Sequence, residues 1–134
     1  MLILKEIKKR ELLDRSDTKS INRSLNLIPK FQKIVGNEAY YLVKNNNFGK
    51  YNLVVIKSDM INEDLDFSQL RSIINYNDIK VSCSCENFLY RGYKYILWKI
   101  GGGIDREVRP PRKTNKNEVG CCCKHIISVL RMYK

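Results

Sequence analysis

The clearest pattern in the chain is a pair of apolar runs in its first half. Residues 39–43 and 51–56 are rich in Tyr, Val, Leu and Ile, and the stretch Asn45–Gly49 between them has the composition of a turn. These runs predict a β-hairpin over Tyr40–Ile56. A short strand near Phe31–Val35 is expected to join it. The sequence therefore predicts a small antiparallel sheet.

Helical spacing appears further along the chain. Asp66 or Ser68 can cap a short helix, after which Ile79–Cys83 predicts a strand. Glu86–Ile100 predicts a helix that a run of three glycines ends. Its apolar face consists of Leu89, Tyr93, Ile96 and Ile100. The fold class expected from this mixture of elements is α+β.

The last residues predict a C-terminal helix that packs on the sheet. Residues 125–134 place apolar side chains on one helical face, namely Ile126, Ile127, Leu130 and Tyr133. Between this helix and the preceding one, residues 105–118 contain Arg-Pro-Pro-Arg and a polar run, which predict a surface loop.

The first residues have only an imperfect helical stripe, and a polar run follows it. We therefore interpret residues 1–30 as an N-terminal basic arm and residues 31–134 as a single domain, since 134 residues suffice for one core of ordinary size. The start lacks the features of a signal peptide, and the apolar runs are too short to cross a membrane.

The net charge is +11, and the excess lies in residues 1–35 and 81–134. Such an excess suits a polyanion such as nucleic acid, although it also serves solubility. Tyr93, Tyr95 or Trp98 could stack on bases, whereas core packing is the alternative for Tyr93. Six cations between residues 86 and 122, here called the spacer cations, are the candidate phosphate contacts: Arg91, Lys94, Lys99, Arg106, Arg109 and Arg112.

Cysteine placement is the strongest chemical signal. The five cysteines occur as Cys-Ser-Cys at residues 83–85 and as Cys-Cys-Cys-Lys-His at residues 121–125, which end in the chain's single histidine. A Cys-x-Cys pair and a Cys-x-His pair entering a helix can converge on one tetrahedral ion, the closed geometry of structural zinc. The predicted ligands of Zn²⁺ are Cys83, Cys85, Cys123 and His125.

The sequence alone also allows other ligand sets and other roles for the cysteines. Cys121 or Cys122 could replace Cys123 as the third thiolate, or the extra thiols could pack in the core. All five cysteines could instead be inert and buried. A disulfide framework fits poorly, because the cysteine count is odd and no secretory signal is present. Cysteine catalysis lacks a placed partner, since side chains at i and i+2 do not face each other on a helix.

At these residues the chain resembles the SWIM-type zinc finger, whose pattern is Cys-x-Cys, a spacer and Cys-x-His. The predicted strands and the last helix are similar to that family's ββα arrangement, so residues 79–134 are expected to form a zinc module that stabilises the domain. The spacer Glu86–Cys122 is 37 residues long. This is longer than is usual in the family, and it holds an inserted helix and the proline loop. The resemblance implies zinc binding and contacts with DNA or protein.

A second resemblance is carried by six ordered segments: Cys83–Phe88, Tyr90–Trp98, Gly101–Gly103, Arg109–Pro111, Thr114–Asn115 and Cys122–His125. In this order they resemble small zinc-finger proteins of large tailed bacteriophages, which are virion-associated. The resemblance implies a location in the virion or the host cytoplasm and other virion proteins as partners, with DNA as a further candidate. Neither a membrane nor a small-molecule substrate is expected as a partner.

Two functions follow as expectations. The first is a non-enzymatic, zinc-binding structural or adaptor protein of a phage particle, whose N-terminal arm docks on a neighbouring subunit. The second is a nucleic-acid-binding zinc module that uses the spacer cations. An enzyme is not expected, because the sequence contains no paired catalytic carboxylates, phosphate loop or nucleophile motif.

Overall fold

The computed structural model describes residues 7–45, 51–111, 114–115 and 117–133, with Asn45 and Asn87 described by their backbone alone. Within these ranges the protein combines six helices with one four-stranded sheet, which confirms the α+β class. The helices are α1 (Lys9–Arg15), α2 (Thr18–Ser24), α3 (Phe67–Tyr76), α4 (Glu86–Tyr90), α5 (Tyr93–Ile100) and α6 (Lys124–Met132). The strands are β1 (Leu27–Val35), β2 (Glu38–Asn45), β3 (Tyr51–Lys57) and β4 (Lys80–Cys83).

The sheet is antiparallel throughout, and its strands lie in chain order. Pairing of β2 with β3, from Glu38 opposite Lys57 to Lys44 opposite Tyr51, confirms the predicted hairpin. The expected turn beyond Asn45 falls on residues 46–50, outside the described residues. The additional strand is also confirmed, and β1 begins four residues earlier than expected, at Leu27.

Helix α6 packs across one face of the sheet, as predicted. Alternate side chains of a strand point to opposite faces, so Tyr41 and Val54 face this helix and are fully buried. The hydroxyl groups of Tyr41 and Tyr133 lie 2.6 Å apart and share a hydrogen bond. This contact joins the middle of the sheet to the residue that follows α6.

A capping box begins helix α3. The Asp66 carboxylate accepts a hydrogen bond from the Gln69 backbone N–H at 2.8 Å, and the Gln69 side chain accepts one from the Asp66 N–H at 3.0 Å. The helix buries Leu70 and Ile74. Asp66 is therefore the cap, and Ser68 lies inside the helix.

The helix predicted over Glu86–Ile100 is wrong in one respect, because it is two helices, α4 and α5. Gly92 separates them with φ +70°, a left-handed conformation that an α-helix cannot continue through. The expected apolar face is consequently split, and the Leu89 side chain is 59 % exposed. Gly101, at φ +89°, ends α5 as predicted.

The N-terminal arm needs a larger correction. Ile7 and Leu12 are buried in the main core, α1 contacts α3, and α2 packs on α6. The carbonyl oxygen of Ile7 also accepts a hydrogen bond from the Ile79 N–H at 2.9 Å. Residues 7–24 are therefore part of the folded body, because their apolar side chains complete its core. Residues 1–6 lie outside the described part of the chain.

The described residues of the loop over 105–118 form neither helix nor strand, as predicted. Just before the loop, Val81 of β4 exchanges backbone hydrogen bonds with Gly102 and Ile104, so that this segment borders the sheet. Within the loop, the Asn115 side chain donates to the Arg91 carbonyl at 2.8 Å. Across the described ranges, no helix has the length and apolar character needed to cross a membrane.

Candidate metal centre

Two parts of the fold deliver the four predicted ligands. Strand β4 ends at Cys83, which pairs with Val54 on the face covered by α6, and Cys85 follows just before α4. The Ser84 hydroxyl between them accepts a hydrogen bond from the Leu53 N–H at 2.9 Å, which fixes this turn against β3. At the other side, Cys123 is the N-cap of α6 and His125 lies in its first turn.

The four side chains converge. Their ligand atoms all lie within 4.8 Å of one another. A zinc ion at about 2.3 Å from each of its sulfurs separates them by about 3.8 Å when the coordination is tetrahedral, so small movements suffice to close the site. Cys123 and His125 are buried, and Cys83 and Cys85 are partly buried. The four residues, called the metal centre below, are thus close enough to bind a metal ion.

The histidine provides a second observation that fits a metal ion. Its Nδ1 is buried and has no hydrogen-bond partner among the described residues. An unsatisfied buried polar atom of this kind costs about 1–3 kcal/mol. A metal ion bound at Nδ1 removes that cost, so the donor set fits an ion.

The other ring nitrogen has a partner that sequence analysis missed. His125 Nε2 lies 3.2 Å from the side-chain amide nitrogen of Asn52 on β3. When Nδ1 binds a metal, Nε2 carries the proton and needs an acceptor, which the Asn52 amide supplies by presenting its oxygen after a half turn. No local pattern marks Asn52, because only the pairing of β3 with β4 brings it to the centre.

The thiols influence one another's ionisation. Hydrogen bonds from Cys123 and then Cys83 lower the pKa of Cys85, while burial raises the pKa of Cys123. A hydrogen bond with Cys123 acts to lower the pKa of Cys83, but the interaction with Cys85 and burial together raise it to about 12. The cluster by itself therefore favours a single thiolate. A divalent cation would displace the remaining protons, since metal-bound cysteine is a thiolate.

Cys121 and Cys122 form a separate pair outside this group of ligand atoms. Both are fully buried, and their sulfur atoms lie 3.6 Å apart. The Cys121 thiol donates to the Leu12 carbonyl at 3.3 Å, so it serves the packing of α1. Of the alternatives open in the sequence, the geometry favours Cys123 as the third thiolate and packing for the other two.

Three of the described spacer cations are divided between two recesses. Arg91 lines a recess with Lys19, Arg23 and Lys124, whereas Lys94 lines a different recess in which Arg109 also lies. Arg91 and Lys94 therefore belong to different groups of cations.

Two spacer cations are paired with carboxylates. Lys99 lies 3.0 Å from Glu118, and Arg109 lies 2.9 Å from Glu107. Arg106 is exposed, and Arg112 lies outside the described residues. Among the described candidates for nucleic-acid contact, the charges of Lys99 and Arg109 are thus partly neutralised.

The three candidate aromatic residues differ in exposure. Tyr93 is buried and its hydroxyl donates to Asp17 at 3.1 Å, which agrees with core packing. Tyr95 is partly buried, and Trp98 is 38 % exposed. Tyr93 therefore has no free ring face to offer to a base.

In comparisons with known proteins, no family model, curated protein or solved structure matches this chain. The interpretation of the metal centre therefore depends on its own geometry. Four protein ligands fill a tetrahedral coordination sphere and leave no position for water or substrate.

Proposed function

We propose that this chain is a non-enzymatic structural or adaptor protein whose fold is stabilised by one zinc ion at the metal centre. The observation that carries the proposal is the convergence of three sulfurs on an imidazole whose buried Nδ1 has no other partner. Three thiolates and one imidazole in a tetrahedral arrangement are typical of structural zinc.

The position of the ligands explains what zinc would stabilise. Cys83 ends β4 and Cys85 follows it, whereas Cys123 caps α6 and His125 lies in the first turn of this helix, which covers the sheet. Bound zinc would close the long segment between them into a loop and hold the start of α6 against the sheet. Removal of zinc should therefore loosen the packing of the core, in addition to any effect on the surface loop.

The adaptor role in a virion is supported by the resemblance to phage proteins described above. Because residues 7–24 are packed in the core, they are not a free docking arm, and contacts with a neighbouring subunit would come from the folded surface. Nucleic-acid binding through the spacer cations is the weaker alternative, since Arg91 and Lys94 line separate recesses and two other spacer cations are paired with carboxylates. Mass spectrometry of purified particles tests the virion assignment directly.

Elemental analysis of protein purified without chelator tests the metal itself. We expect about one equivalent of zinc per chain, as structural sites of this kind bind a single ion. Cys123→Ala should abolish binding. Cys122→Ala is the matched control, because it removes an equally buried thiol one residue away and should retain the full equivalent. Metal-free wild-type protein, or loss of zinc in the control alone, would overturn the assignment.

Thermal unfolding with and without chelator tests the structural role. Zinc contributes about 10–16 kcal/mol to folding in small finger peptides, and we expect a smaller loss here because the apolar core also includes residues of the sheet, α1 and α3 that are distant in sequence from the ligands. The zinc-free protein should melt at a lower temperature and show weaker near-ultraviolet circular dichroism. An unchanged melting curve after verified loss of zinc would exclude a stabilising role.

A further inference from the structure

The sheet has a second face, directed away from α6. In an antiparallel pair, residues directly opposite each other point to the same side. Lys30 therefore shares a face with Leu42 and Leu53, and this row points away from the buried Tyr41 and Val54. The side chains that point this way on β1–β4 are here called the outer face.

The outer face is strongly basic. Among the described strand positions, Glu38 is the one acidic residue on this face. The lysines on this face come from all four strands. They are Lys30, Lys33, Lys44, Lys57 and Lys80. Such a surface repels a second copy of itself and attracts a polyanion.

Aromatic and aliphatic side chains lie between these lysines. Tyr51 is 52 % exposed and Leu53 is 37 % exposed, and Tyr40 is partly exposed. The Lys33 ammonium lies 5.9 Å from the centre of the Tyr40 ring, and the Lys44 ammonium lies 5.9 Å from that of Tyr51. Each tyrosine on this face is thus next to a cation.

We infer that the outer face binds single-stranded nucleic acid. The lysines would contact phosphates, and Tyr40 and Tyr51 would stack on bases, which are accessible in a single strand and hidden within a duplex. Tyr40 lies opposite Val55, four residues from Tyr51 on β3, so the two rings are offset by about 13 Å along the strands and can hold separate bases. This inference goes beyond the proposed function and does not rest on it, because none of these residues is a metal ligand.

Fluorescence anisotropy with a labelled single-stranded oligonucleotide of mixed sequence, in DNA and RNA forms, tests the stacking. Tyr51→Ala should weaken binding by about five-fold to 150-fold, the range of a lost base–aromatic stack. Tyr76→Ala is the matched control, because Tyr76 is 74 % exposed and belongs to helix α3 and not to the sheet. It should leave affinity unchanged, and both variants should be checked for the wild-type melting temperature.

Two double variants test whether the lysines of the outer face contribute to binding. This test remains valid even if Tyr51→Ala fails to fold. In a plot of log affinity against log salt concentration, each phosphate contact on a single strand contributes about 0.7 to the slope. Replacing Lys30 and Lys33 together by Ala should therefore make the slope shallower by about 1.4. Arg106→Ala with Arg109→Ala removes the same charge from the spacer and should leave the slope unchanged.

Four results would overturn the inference. They are an absence of oligonucleotide binding at low salt, equal affinity for duplex and single strand, loss of binding in the spacer variant alone, and binding to anionic lipid vesicles without binding to oligonucleotide. The last result would assign the outer face to a membrane surface instead.

Discussion

At the scale of single residues, the histidine and its neighbour determine how well the metal centre is organised. Asn52→Leu removes the partner of His125 Nε2 and should lower zinc affinity by about 10-fold to 100-fold, because the imidazole loses its fixed orientation. Competition with a metallochromic chelator measures the change.

Two further variants complete this test. Asn22→Leu makes the same substitution at an exposed position on α2 and should leave zinc affinity unchanged. Asn52→Asp keeps an acceptor for the Nε2 proton and should retain most of the affinity. If Asn52→Leu binds zinc as tightly as wild-type protein, Asn52 has no positioning role.

At the scale of elements, the break between α4 and α5 is fixed by backbone conformation and packing together. Gly92 has φ +70°, and a Cβ atom there would lie 2.5 Å from the side chain of Pro111 in the loop. The apolar spacing of residues 86–100 gave no sign of this break, because Gly92 falls between two positions of the predicted apolar face. Conformational freedom and close contact with Pro111 overrode the helical period.

Replacing glycines separates these two effects. Gly36→Ala, at φ +61° with open space around it, should cost about 1–2 kcal/mol from left-handed strain alone. Gly92→Ala should cost more than Gly36→Ala, since it adds a collision with Pro111. Chemical denaturation of both variants gives the comparison, and equal losses would show that the loop yields without cost.

At the scale of the whole molecule, the N-terminal residues are part of the core. Leu12 is 0 % exposed, and Leu12→Ala should lower the free energy of unfolding by about 2–5 kcal/mol because it leaves a cavity. Leu25→Ala, at a position 63 % exposed, is the matched control and should change stability little. A mild effect of Leu12→Ala in denaturant titrations would instead support the separate arm expected from the sequence.

Local patterns in the sequence determined much of the fold. The hairpin was predictable because β-branched and aromatic residues flank a turn, and the short helix α3 because Asp66 and Ser68 offered a cap before its apolar positions, although only the structure chose Asp66. The candidate ligands were also predictable. Cys-x-Cys and Cys-x-His are short patterns, and so few residue types bind zinc that their clustering is informative.

Tertiary structure decided the rest, because the relevant contacts join residues far apart in the chain. It brought Asn52 to His125, separated Cys122 from the ligand atoms, and packed Leu12 beneath Cys121. It also divided three spacer cations between two recesses and gathered lysines from four strands on the outer face. The sequence gives the charge and apolar character of each residue. Which residues share a surface depends on strand pairing and on the part of the sheet that each helix covers.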